Sequence, residues 1–246
     1  MNSLPKRLKK EPLIEVIWQA QLDDSQGVGD VLPGILFNEL KKSGRNLKLH
    51  RLPSADIPAS IAQIDPNLRF VPKMLMEELG SAFIWQVGDR VIALNCRKPY
   101  VGWDKFKETV VTLTRIIENS QIIPIPQRHS LRYIDLLRGE LAADLSALKL
   151  TLKLGDCEIG ERIQMRLEIQ DVQCVHILQI ATSALVSLVG ERLTGIIIDL
   201  ETLPADVPNS WDTIRKQLDL LHDRSKQLFF GQILTAEAIQ NLAPEY

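Results

Sequence analysis

The sequence predicts an α+β protein of antiparallel or mixed sheets and amphipathic helices, and three runs of residues carry that reading. Arg162 to Ile169 alternates polar with apolar side chains for eight positions, the pattern of a half-exposed strand. Asp104 to Asn119 places Phe106, Val110, Leu113 and Ile117 at spacings of four, three and four, which is one face of a helix. Val87 and Val91 flank a Gly88-Asp89 pair of the kind that fills tight hairpin turns. Strands come in groups rather than in strict alternation with helices, which favours α+β over a βαβ-wound sheet.

In chain order, Met1 to Lys10 reads as a basic, solvated, flexible tail holding Lys6, Arg7, Lys9 and Lys10. Leu13 to Leu22 is a strand. Val31 to Lys42 is a helix with Leu32, Ile35, Leu36 and Leu40 on one face, closed by Ser43-Gly44. Pro53, Pro58, Pro66 and Pro72 mark a surface connection with short turns. A short helix is expected over Lys73 to Leu79, then the hairpin, the Asp104 helix with Asp104 as its cap, and a strand from His129 to Leu137. Leu150, Leu152 and Leu154 alternate ahead of a Gly155-Asp156 turn. Val172 to Ala181 and Gly195 to Leu200 are further strands, with a helix expected between them over Thr182 to Glu191. Ser210 caps a long helix from Trp211 to about Phe230, and Thr235 caps a last one through Leu242. The domain reading is a tail over 1–10, one α+β subdomain over 11–140 and another over 141–246 ending in the long helix, with an ancient duplication conceivable but no residue-level repeat to establish it.

Composition limits the function classes. With 246 residues, 45% of them hydrophobic, the chain can bury one good core or two small ones. A formal charge of −2 supplies no global field for nucleic acid or an anionic membrane, so any such binding must be local. Cys96, Cys157 and Cys174 lack CxxC spacing, there is no apolar signal-peptide core, and no apolar run approaches the roughly 20 residues that span a bilayer, so a reduced, cytoplasmic setting without a membrane is expected.

Catalytic patterns are weak. HExxH is absent, Gly27, Gly29 and Gly34 do not make GxGxxG, and there is no P-loop or nucleophile elbow; neither a catalytic residue, a metal site nor a cofactor is therefore assigned. His222 and Asp223 are neighbours on a helix and point about 100° apart, whereas His222 and Lys226 share a face, which reads as a polar helix surface. The best candidate for recognition is the corner Arg97-Lys98-Pro99-Tyr100 with Trp103, where two cations and two aromatics meet as a hairpin hands over to a helix. Its structural alternative has Trp103 stapling the helix start and Tyr100 packing below. Arg132 joins the candidate set if it faces the same corner, and period-two alternation sends only one of Arg132 and Tyr133 there.

Four segments carry a family resemblance: Pro12 to Val16, Trp85 to Trp103, Arg132 to Asp135, and Leu221 to Phe230 followed by Leu234-Thr235. In their order and spacing the chain resembles a sporadically distributed, largely uncharacterised family of prokaryotic proteins of about this length, whose members more often carry Asn where this chain has Asp135. The resemblance brings no activity, cofactor or catalytic residue to these positions. It implies a component of a prokaryotic defence or toxin-antitoxin-like locus. The leading expectation is a non-enzymatic interaction or regulatory protein whose partner is another protein or a second copy of the chain. The alternatives are a nucleic-acid-binding module using the basic N-terminus and the Arg97 corner, and an enzyme whose site is assembled from residues distant in sequence.

Overall fold

The structure, a computed structural model, describes residues 4–22, 27–66, 68–160, 162–188 and 190–246. Met1 to Ser3 of the expected tail and Val189 of the expected Thr182–Glu191 helix lie outside them. Its first half runs β1 (Arg7–Leu8), β2 (Leu13–Gln21), α1 (Val28–Lys42), β3 (Leu47–Arg51), α2 (Ala59–Ile64), β4 (Met74–Glu78), β5 (Phe83–Val87), β6 (Val91–Arg97), α3 (Trp103–Ser120) and β7 (Arg128–Leu137). There follow β8 (Lys153–Leu154), β9 (Cys157–Glu158), β10 (Gln164–Gln170), β11 (Cys174–Leu188), β12 (Glu191–Pro204), α4 (Trp211–Leu228), a π-helical turn over Phe229–Ile233, α5 (Ala236–Asn241) and β13 (Pro244–Glu245). Nine of the strands form one antiparallel sheet in the order β10-β11-β12-β7-β2-β6-β5-β4-β3, so the class is α+β.

The chain divides into two compact units, each discontinuous in sequence rather than cut once near residue 140. Residues 15–131 and 203–218 make one; 1–14, 132–202 and 219–246 make the other.

In the first of these, alternation along β2 puts Val16, Trp18 and Ala20 on one face, paired with Cys96, Leu94 and Ile92 of β6, and all six are buried. α1 packs by Leu32, Leu36 and Leu40, and α3 by Phe106, Val110, Leu113 and Ile117, the stripe its spacing predicts; all seven are fully buried. The β5–β6 hairpin forms, one residue later than expected: Gly88 N–H donates to Val91 O at 2.8 Å, which leaves Asp89 and Arg90 at the tip. Gly88 is needed for a different reason, because a Cβ there would run into the Val71 carbonyl oxygen. The expected helix over Lys73 to Leu79 is instead β4, bonded between β3 and β5; pairing with two strands outweighs the helix propensity of Met, Leu and Glu. α3 begins at Trp103, with Gly102 at φ 90° in the capping position, and Asp104 lies in the first turn rather than at the cap, where its charge still suits the helix dipole. Ser210 accepts from Thr213 N–H at 3.0 Å at the start of α4.

In the other unit, Leu137, Leu178, Ile180, Ile196, Ile198 and Leu200 present one sheet face to Leu228, Phe229, Ile233 and Leu234 of the α4 end and its π turn. The expected helix over Thr182 to Glu191 does not form. β11 continues to Leu188 and turns into β12, so Ala181 to Leu188 belongs to a hairpin arm whose side chains alternate between half-buried and exposed from Ser183 on. Thr235 caps α5 as predicted, accepting from Ala238 N–H at 3.2 Å. Residues 4–10 are tied down rather than trailing: β1 pairs with β13, and Lys9 and Lys10 N–H donate to Ala243 O and Leu242 O at 3.0 and 3.1 Å. Leu8 is buried there. In the strand with the cleanest alternation, Gln164 and Arg166 are exposed as expected, but Met165 is half-buried and Leu167 is 39% exposed, because β10 is the last strand of the sheet among the described residues.

Candidate functional site

The corner after β6 belongs to the unit of residues 15–131 and 203–218, and its aromatic and basic parts separate. Tyr100 and Trp103 are half-buried, their rings 6.4 and 6.3 Å from the ring of Phe106, which itself lies 6.4 Å from Phe83. They anchor α3 to the sheet. Arg97, 54% exposed in its side chain, points to Glu15 across the β2–β6 pair, Nε to Oε1 at 3.5 Å; the same oxygen accepts from Asn95 Nδ2 at 2.9 Å. Its backbone N–H donates to Ala82 O at 2.9 Å, which fixes where β6 ends.

Lys98 turns the other way. Its peptide to Pro99 is cis, and both line a pocket of about 580 Å³ with the β4–β5 turn (Gly80, Ser81), Phe83, Arg45 and Lys105. Arg45 follows Gly44, which takes φ 86° to end α1. Its guanidinium lies 5.7 and 5.2 Å from the ring centroids of Phe83 and Trp85 and pairs with Glu78 at 2.8 Å, with both side chains mostly buried. Thus Glu78, the one carboxylate among the described lining residues, pairs with Arg45, and Lys98 and Lys105 line the recess beside them. A recess with an aromatic wall, a fixed guanidinium and two ammonium groups suits an anionic group carried on an apolar stem.

Of the corner singled out from sequence, Lys98 and Pro99 line this pocket, whereas Arg97, Tyr100, Trp103 and Arg132 do not. Arg132 lies on β7 in the other unit, where its guanidinium grips both carboxylate oxygens of Asp199, Nε to Oδ1 at 2.6 Å and Nη2 to Oδ2 closer still. Tyr133 points to the opposite face, as the alternation requires, and its hydroxyl meets His222 Nδ1 at 2.7 Å. The residues that sequence reasoning missed are Arg45, Glu78 and Lys105. Lys105 was within reach, two residues past Trp103; Arg45 and Glu78 join only through the β3–β4 pairing that the expected helix had hidden.

The unit of residues 1–14, 132–202 and 219–246 holds a chain of polar groups that has the composition of a catalytic relay. His176 Nδ1 meets Thr202 Oγ1 at 2.8 Å, and the Ser225 hydroxyl lies 2.7 Å both from that oxygen and from the Leu221 carbonyl. Asp171 Oδ2 stands 3.9 Å from His176 Nε2 and 3.7 Å from an Arg224 nitrogen. Yet His176, Thr202 and Ser225 are all buried, so no substrate can meet the hydroxyl. Burial holds the His176 pKa below its ordinary value against the opposing pull of Asp171, which keeps the ring neutral and suited to this fixed bonding. The network satisfies polar atoms beneath α4.

Burial also shifts His129 and Asp135, the two groups moved furthest from their ordinary values. Burial, reinforced by the nearby Glu11 carboxylate, pushes Asp135 up to about 8. In the first unit burial drives His129 down to about 4, although its hydrogen bond to Gln217 at 2.7 Å works the other way. Among the described residues no three His, Cys, Asp or Glu side chains gather as a metal ion would need, and no helix is long and apolar enough to cross a membrane. Comparison with protein-family models, with curated proteins and with solved structures finds no match.

Proposed function

We propose that the protein is a non-enzymatic interaction protein that takes an acidic segment of a partner protein into the pocket between the β4–β5 turn and the start of α3. The observation that carries this reading is the lining itself. Arg45, Lys98 and Lys105 converge on a recess walled by Phe83, and the one carboxylate among them is engaged by Arg45. A carboxylate of the partner would be drawn to the two lysines, and its apolar stem would lie along Phe83 and Pro99. The two largest shifts, at His129 and Asp135, belong to buried groups that do not line the pocket, which supports binding over proton transfer as its use.

The test is calorimetric titration of the full chain with a glutamate-rich peptide that carries leucine or phenylalanine between its acids. The Lys98→Ala/Lys105→Ala variant should bind about 1 to 3 kcal/mol more weakly and melt within about 2 °C of the parent, since both side chains are exposed. A single-stranded oligonucleotide serves as the second probe. Tighter binding of the oligonucleotide, with a steep loss in salt, would replace this reading by nucleic-acid recognition. Equal peptide binding by parent and double variant would overturn the pocket as the site.

A further inference from the structure

We propose that β10 is a self-complementary edge at which two copies of the chain pair, strand against strand, about a two-fold axis through Leu167. This rests on the unit of residues 1–14, 132–202 and 219–246 and is independent of the pocket.

The backbone comes first. β10 is the terminal strand of the sheet, bonded on one side to β11. Thr182 N–H donates to Ile163 O and Asp171 N–H to Cys174 O, both at 2.9 Å, so the odd-numbered residues from 163 to 171 direct their backbone groups inward to β11. In an antiparallel ladder the alternate residues then direct theirs outward, which leaves the N–H and C=O groups of Gln164, Arg166, Glu168 and Gln170 facing the open side. An edge of this kind is a template for another strand.

The side chains specify which strand. Placed antiparallel to its own copy about Leu167, the sequence Gln164 to Gln170 sets Arg166 opposite Glu168, Gln164 opposite Gln170, and Met165 opposite Ile169. The first two are pairings of outward-bonding residues, so they fall in hydrogen-bonded positions and exchange about eight backbone bonds in all. Arg166 and Glu168 are both exposed and would meet as two symmetry-related ion pairs. The third sits on the face where Met165 and Ile169 pack against the core. Leu167, 39% exposed between them, would meet its own copy at the close, non-hydrogen-bonded position and lose that exposure. The opposite end of the sheet shows the contrast. β3 paired about its centre would set Lys48 against His50 and Leu47 against Arg51, with no acid on the strand to answer these bases, the usual protection of an edge. Charge complementarity therefore selects β10, and a second copy as its occupant.

The experiment is sedimentation equilibrium of the full chain beside Arg166→Glu, Glu168→Arg and the double exchange R166E/E168R. The parent should be a dimer. Each single variant sets like charges opposite one another twice and should raise the dissociation constant about tenfold or more, and the double exchange should restore it to within about threefold. Thermal melts of all four should agree at concentrations low enough that each is monomeric, since neither side chain is buried, while at higher concentration the parent and the double exchange should melt above the single variants. Amide exchange gives a second reading, because the N–H groups of Arg166 and Glu168 should slow as concentration rises while those of Met165 and Leu167 are already protected in the monomer. A parent that stays monomeric at the highest concentration reached would overturn the proposal. So would a dimer indifferent to the single variants, a double exchange no better than either, or exchange at Arg166 and Glu168 that does not change with concentration.

Discussion

Asp135 is the residue with the most to say about stability, because it is a carboxyl buried on a strand with another acid, Glu11, beside it. Its value in the fold, about 8, lies above the ordinary 3.8, so the stabilisation from the neutral form is complete below pH 3.8 and is lost as pH rises through 8. Asp135→Asn keeps the size and removes the charge. It should therefore stabilise the protein at pH 9 by a few kcal/mol and do far less at pH 5, as read by urea unfolding at the two values; equal effects at both would mean that the carboxyl is not held neutral. Thr202 gives a complementary test within the buried polar chain. Thr202→Val leaves the His176 ring nitrogen and the Ser225 hydroxyl without the group between them and should cost about 1 to 3 kcal/mol.

At the scale of elements, α3 holds the corner in place. Phe106 is fully buried under Phe83, Tyr100 and Trp103, so Phe106→Ala should cost about 3 to 5 kcal/mol of stability and loosen the pocket lining with it. A melting curve beside the peptide titration reads both effects. The same helix shows what a sequence can disclose. Its stripe of Phe106, Val110, Leu113 and Ile117 could be read from spacing alone because a helix buries one face whatever it packs against, and the caps at Ser210 and Thr235 were legible because they act within a few residues. β4 and the far arm of β11 were not legible in the same way. Met74 to Glu78 and Ala181 to Leu188 have no strand signature of their own, and their state is set by partners distant in the chain, Leu47 to Arg51 for the first and Glu191 onward for the second. The lining of the pocket was legible only in part for the same reason. Lys98 and its corner were found because hairpin, proline and helix start adjoin in sequence, while Arg45 and Glu78 reach the pocket only through the strand that was read as a helix.

Across the whole molecule, His129 and Asp135 give stability a shape with pH. The His129 value of about 4 lies below the ordinary 6.5, so the contribution of its neutral ring is complete above pH 6.5 and is lost as pH falls through 4. The two slopes oppose one another between those limits, and from pH 6.5 to 8 the Asp135 slope is left alone, so unfolding free energy should decline over that window in the parent and stay flat in Asp135→Asn.

Function, by contrast, is assigned to the surface, and the corner contains its own control. Arg97 and Lys98 are adjacent, both exposed and both cationic, yet Arg97 faces Glu15 and Lys98 lines the pocket. The most direct measurement is the affinity of the glutamate-rich peptide for Arg97→Ala and for Lys98→Ala, taken side by side at one salt concentration. Recognition in the pocket predicts that Lys98→Ala weakens binding by about 1 kcal/mol or more while Arg97→Ala stays within about 0.5 kcal/mol of the parent. Equal losses in the two variants would reduce the effect to general surface charge and contradict a site built around Lys98.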